Sequence, residues 1–122
     1  CAYNSAFDLC KTCCRELADE FQFIDLWLMA LQTITHQKGY AKFCRENGYK
    51  SKGGKTCATS AESVYAYISG NGEYIEEHTA LADALIEMAI FVRCVRTHKR
   101  YTKNVHCWDC TERNKVFPKW AV

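Results

Sequence analysis

The stretch EEHTALADALIE, residues 76–87, sets the reading of this chain, because it puts a His, an Asp and a Glu at the head of an otherwise apolar run. From 81 to 95 nearly every position is apolar, which predicts a helix buried over most of its surface. A carboxylate buried there without a partner costs several kcal/mol. Asp83 and Glu87 therefore need compensation, either from a nearby basic side chain or from a bound cation.

Charge is distributed unevenly around this stretch. The chain has 122 residues and a net charge of +2, from 16 basic and 14 acidic side chains. That balance is too small to argue for nucleic acid by itself, but the signs are segregated. Lys38, Lys42, Arg45, Lys50, Lys52 and Lys55 fall in one basic segment relieved only by Glu46, and Arg93, Arg96, Lys99, Arg100 and Lys103 fall in another. Between them lie Glu62, Glu73, Glu76, Glu77, Asp83 and Glu87. An acidic patch bordered by basic ones suits a site shared by cations and a polyanion.

A chain of this length forms one domain and holds a core without a disulfide staple. The cysteines number nine, an odd count. Cys10, Cys13 and Cys14 recur with Ala6 and Leu17 at helical spacing, which predicts an apolar helix face over about 5–18 and thiols acting as small hydrophobes. The expectation is a reducing, cytoplasmic setting, with a secreted, disulfide-rich helical binding protein without enzymatic activity as the alternative. No apolar run is long enough for a transmembrane helix, and no membrane partner is expected. The chain opens on Cys1 rather than Met, so its native start is expected upstream.

Residues 1–3 read as the end of a strand and Asn4 as the cap of the next helix, with Asp8 in its first turns. FQFIDLW (21–27) reads as a short strand, and Asp25 as the cap of a helix through LWLMALQTI, where Leu28, Leu31 and Ile34 share a face. KGYAKFCRENG (38–48) reads as an amphipathic helix closed by Gly48, followed by a mobile Gly- and Lys-rich loop. Ser60 caps a further helix ended by Gly70, and the long helix begins near Thr79. After about Arg96 the periodicity is lost, and an irregular tail is expected with Trp108, Phe117 and Trp120 pinned to the body.

Asp8 and Asp83 hold equivalent places, each four residues after a capping residue and each where the helix dipole favours an anion. His78 lies five residues before Asp83, about 140° around a helix, so it must precede the helix to face the same spot. There it has the freedom of a general base. AYNSAFD (2–8) and HTALAD (78–83) resemble the second and third motifs of the DEDDh 3′–5′ exonucleases, and SAESVYAYISG before EEHTALADALIE is similar to phage-type members. Asn4, Phe7, Asp8, His78 and Asp83 match the family pattern, over roughly residues 1–96.

The resemblance implies an α/β, ribonuclease H-like exonuclease fold that is incomplete on its N-terminal side, leaving a mostly helical chain with short strands. It implies that Asp8 and Asp83 bind two Mg²⁺ or Mn²⁺ ions and that His78 deprotonates the attacking water. The substrates implied are 3′ ends of single-stranded DNA or RNA. Hydrolysis of a phosphodiester agrees with that ligand set, since two hard cations about 4 Å apart serve both attacking and leaving oxygens. Asn4 and Phe7 are candidates for substrate contact or support, although Asn4 also serves as a cap. Glu87, one turn after Asp83, orients a metal-bound water or pairs with a basic residue. Tyr49, Tyr65 and Tyr67 are candidates to stack a terminal base, and packing inside the domain is the commoner use of such rings.

The family's first motif, a D-x-E on the opening strand, has no counterpart here. Residues 1–96 are accordingly expected to be the C-terminal part of an exonuclease domain and 97–122 a Cys- and Trp-containing tail, with an unpaired strand edge at 1–3 open to homodimerisation. HCWDC (106–110) supplies His106, Cys107 and Cys110, which with Cys94 make a possible structural zinc set, weighed against ordinary reduced thiols.

Overall fold

Asp25 ends an extended segment and opens the helical part of the molecule. Its Oδ1 accepts from the Leu28 amide at 3.2 Å, and helix α1, Leu26–Ala30, follows. Its Oδ2 accepts from the Ser5 hydroxyl at 3.2 Å, and the residue is fully buried. One carboxylate thus caps a helix and ties the N-terminal segment to it. The computed structural model describes residues 1–5, 7–8 and 23–101. Asp25→Ala is expected to lower the unfolding free energy by about 1–3 kcal/mol, the loss of a cap and of a buried acceptor. Urea denaturation measures it, and an unchanged midpoint would mean that neither bond contributes.

Ala2 pairs with Asp25 in a parallel bridge, its amide donating to the Ile24 carbonyl at 3.3 Å while the Leu26 amide donates to the Ala2 carbonyl at 3.0 Å. Parallel neighbours need a crossover connection, and the chain between them enters a helix at Ser5, Phe7 and Asp8. Among the described residues, the strands expected at 1–3 and in FQFIDLW amount to this one bridge. The rest of the predicted helix over 5–18 lies outside the described residues, as do Cys10, Cys13 and Cys14. Asn4 has a φ of +68°, in the left-handed region that Asn tolerates, instead of the extended conformation of an ordinary cap.

Helix α1 runs on into a π-helical turn, Leu31–Thr35, which departs from the regular helix expected. The Thr33 hydroxyl donates to the Met29 carbonyl at 2.8 Å, taking up the acceptor that a regular helix offers to the Thr33 amide. Helix α2, Lys38–Asn47, ends at Gly48 with φ +77°, and helix α3, Ala61–Ser69, starts at the Ser60 cap and ends at Gly70 with φ +72°. The basic loop between them closes on itself through an antiparallel bridge of Lys50 with Cys57, so it is better tethered than its composition suggests. Helix α4, Ala80–Arg96, starts where the Thr79 hydroxyl accepts from the Ala82 amide.

Helix α4 packs against α1 and α3, while α2 packs against α3 and the π-helical turn. Their shared core holds Leu26, Leu28, Ile34, Tyr40, Val64 and Ile90. The expectation that α4 is buried over most of its surface needs correction. Ile86, Ile90 and Cys94, four residues apart, are buried, but Leu81, Leu85, Met88, Val92 and Val95 are exposed. These five recur at spacings of four and three, which makes a second apolar stripe that no described element covers. No helix among the described residues is long and apolar enough to cross a membrane.

Candidate metal centre

The chain reaches α4 through an irregular segment, residues 74–79, which carries Glu76 and His78. His78 then takes a φ of +53° and the helix starts after it, which places the imidazole ahead of the helix as the spacing argument required. Asp83 sits in the first turn, its amide donating to the Thr79 carbonyl at 2.9 Å. Glu76, His78 and Asp83 each offer a ligand atom, and these atoms lie within 4.8 Å of one another. His78 is largely exposed, with Nδ1 3.6 Å from Glu76 Oε2.

The most informative atom is Asp83 Oδ1, which is buried and has no hydrogen-bond partner among the described residues. Among the described residues no Lys or Arg forms an ion pair with Asp83 or Glu87, so the salt-bridge answer to these partly buried acids is not found. Glu87 instead accepts from the Tyr3 amide at 3.1 Å. That bond joins α4 to the strand end beside Asn4 and gives Glu87 a role in holding the two motifs together.

Burial pushes the Glu87 carboxyl above its ordinary range; the Tyr3 amide opposes this, Asp8 raises it, the amino terminus lowers it and Asp83 raises it. Burial likewise raises Glu76, with Asp83, Glu62 and Glu87 adding to the effect and His78 opposing it. Burial also raises Asp8. Asp8 and Asp83 therefore both act on Glu87 through space, but the close ligand group is Glu76, His78 and Asp83, without Asp8. Phe7 is mostly exposed, and its amide donates to the Asn4 carbonyl at 2.8 Å.

A hard cation fits this donor set, because it prefers carboxylate oxygens and would complete the coordination of the orphaned Asp83 oxygen. Glu76 was missed as a candidate ligand in the sequence, where it stands as one acid in an acidic run. The available signal was its two-residue spacing from His78.

The raised carboxyls carry a prediction. A folded-state value above the unfolded one means the folded chain holds more protons, so this stability is complete below the unfolded carboxylate range and falls as pH rises through the raised values of Glu76 and Glu87. Mg²⁺ or Mn²⁺ should reverse that loss near pH 7, by about 1.4 kcal/mol at ten times its Kd, and do less in acid, where the raised Glu76 carboxyl takes up its proton. Thermal melts with and without the ion measure this. A shift that survives in Asp83→Asn would place the cation elsewhere.

Other candidates fare differently. Cys94 is buried in the core and accepts from the Thr33 hydroxyl at 3.3 Å; His106, Cys107 and Cys110 lie outside the described residues. The described cysteines, Cys1, Cys44, Cys57 and Cys94, are free thiols. Tyr49 stacks on Phe43 at 5.8 Å, Tyr65 meets Tyr74 edge-on at 4.7 Å, and Tyr67 meets Tyr40 at 5.2 Å. Their rings are packed within the domain, the commoner of the two uses weighed for them. No family model matches this chain, and no curated protein or solved structure does either.

Proposed function

We propose that this chain is the C-terminal part of a DEDDh-type, ribonuclease H-like 3′–5′ exonuclease acting on single-stranded DNA or RNA ends. The observation that supports it best is the buried, unpartnered Asp83 oxygen within a group of Glu76, His78 and Asp83. The parallel pairing of Ala2 with Asp25, followed by Asp8 at a helix start, is compatible with the α/β arrangement the reading needs. The apolar stripe of α4 that no described element covers is where a sheet would pack, and the reading assigns that sheet, with the D-x-E carboxylates, to residues preceding Cys1.

In this reading Asp83 and Asp8 hold the divalent ions, with Glu76 beside Asp83. When bound, Mg²⁺ or Mn²⁺ neutralises charge on the phosphate and acidifies water. His78, exposed on the loop before α4, takes the proton of the water that attacks phosphorus as the bond to the 3′ oxygen breaks. Glu87 keeps the Asn4–Asp8 turn registered against α4 through the Tyr3 amide. Digestion of end-labelled single strands by a chain extended upstream, with Mg²⁺ or with a chelator, tests the proposal. Equal digestion in both would refute it.

A further inference from the structure

The basic segment 38–57 is not used by the function proposed above. Lys38, Lys42 and Arg45 are exposed and recur at spacings of four and three, so they share one face of α2. Beyond Gly48 the chain turns back as a hairpin, held by the Lys50–Cys57 bridge and by the Ser51 amide donating to the Thr56 carbonyl at 2.9 Å. Residues of α2 and of this hairpin together line a cavity of about 200 Å³, among them Arg45, Lys50, Lys55 and Thr56. Its lining includes no acidic side chain among the described residues. Of the cations in the segment, Lys42 alone is in an ion pair among the described residues, with Glu46 at 3.8 Å. At the hairpin tip, a Cβ added to Gly53 or Gly54 would meet nothing within 4 Å, so the backbone there is open to a ligand's approach.

From this gathering of cations without acids we infer that the basic face of α2 and the hairpin cavity bind the phosphates of a nucleic-acid strand. Like charges held together repel, and a polyanion relieves that repulsion while releasing its own counterions. The Thr56 hydroxyl and the hairpin backbone add neutral hydrogen-bonding groups of the kind that contact phosphate. A strand fits better than a single phosphate, because Lys38 to Arg45 alone covers about 10 Å of helix and the hairpin lysines extend it. An anionic membrane fits less well. The exposed large apolar residues among those described lie at Phe7, Ile75 and along α4, and none lies in 38–57 to enter the lipid. The site uses none of Glu76, His78 and Asp83 and needs no metal, so it holds whether or not the strand is cut. Contacts made through phosphate carry no sequence information, so binding should be indifferent to base sequence.

Fluorescence anisotropy of a labelled oligothymidylate with the 122-residue chain, in chelator throughout, tests this without reference to catalysis. Lys50→Gln with Lys55→Gln should weaken binding by about tenfold at low salt and flatten the slope of log K against log salt by about 1.4, two single-strand phosphate contacts at about 0.7 each. Arg96→Gln with Arg100→Gln removes the same charge from the other basic segment and should weaken binding less than about twofold. Both pairs are exposed, and their melting temperatures should match that of the natural chain. In the natural chain, bound strand should protect Lys50 and Lys55 from acetylation more than Lys99. Equal losses in the two double variants, or equal protection of the three lysines, overturns the assignment. Inorganic phosphate that displaces the strand better than chloride of equal ionic strength makes this a site for free phosphate and overturns the strand. Tighter binding to phosphatidylserine vesicles than to the oligonucleotide, lost in Lys50→Gln with Lys55→Gln, overturns it in favour of a membrane. None of these results bears on the Mg²⁺-dependent digestion that tests the nuclease reading, so the two can fail separately.

Discussion

Asp83→Asn is expected to reduce Mg²⁺-dependent release of nucleotides from 3′ ends by about a thousandfold, equivalent to about 4 kcal/mol of lost transition-state stabilisation. The substitution keeps the shape of the side chain but removes the charge of a carboxylate whose oxygen is buried without a partner among the described residues. His78→Ala should cost about a hundredfold to ten-thousandfold, the usual range for a positioned general base. Because the His78 side chain is exposed, the variant should melt as the natural chain does. These measurements belong to the chain extended upstream. The 122-residue chain should be inert, since ions about 4 Å apart repel strongly and it lacks the D-x-E carboxylates that offset this in the family. Full activity in either variant would leave a binding role as the better reading.

The second large effect separates the two faces of α4. Ile90→Ala should destabilise the chain by about 2–5 kcal/mol, because the side chain is fully buried against α1 and α3 and its loss leaves a cavity. Leu85→Ala, on the stripe that is 52% exposed at that residue, should change stability by less than about 0.5 kcal/mol. In the chain extended upstream the same Leu85→Ala should cost about 2 kcal/mol or more, because the proposed sheet would then bury it. Urea denaturation of the three variants and their two parent chains measures the contrast. A Leu85→Ala cost that stays near zero in the longer chain would refute the sheet, whatever the fate of the nuclease activity.

Local chemistry made much of the chain legible. Asp25, Ser60 and Thr79 were readable as caps because a short oxygen-bearing side chain satisfies an amide within its own first turn, and Gly48 and Gly70 as stops because a left-handed residue closes a helix. The place of His78 outside α4 followed from helix geometry alone. Spacing could not tell that the second oxygen of Asp25 would hold Ser5, or that Glu87 would accept the Tyr3 amide from 84 residues away. Those bonds exist only once distant segments meet.

The apolar run of 81–95 shows the same limit. Hydrophobicity gives the helix but not how many of its faces find a neighbour, and packing chose Ile86, Ile90 and Cys94 over Leu81, Leu85 and Met88. Sequence determined the helix ends and the acidic motif at the head of α4. Tertiary structure decided which acid joins His78 and Asp83, because the irregular segment before α4 brings Glu76 within 4.8 Å of them, whereas Asp8 is not in that group.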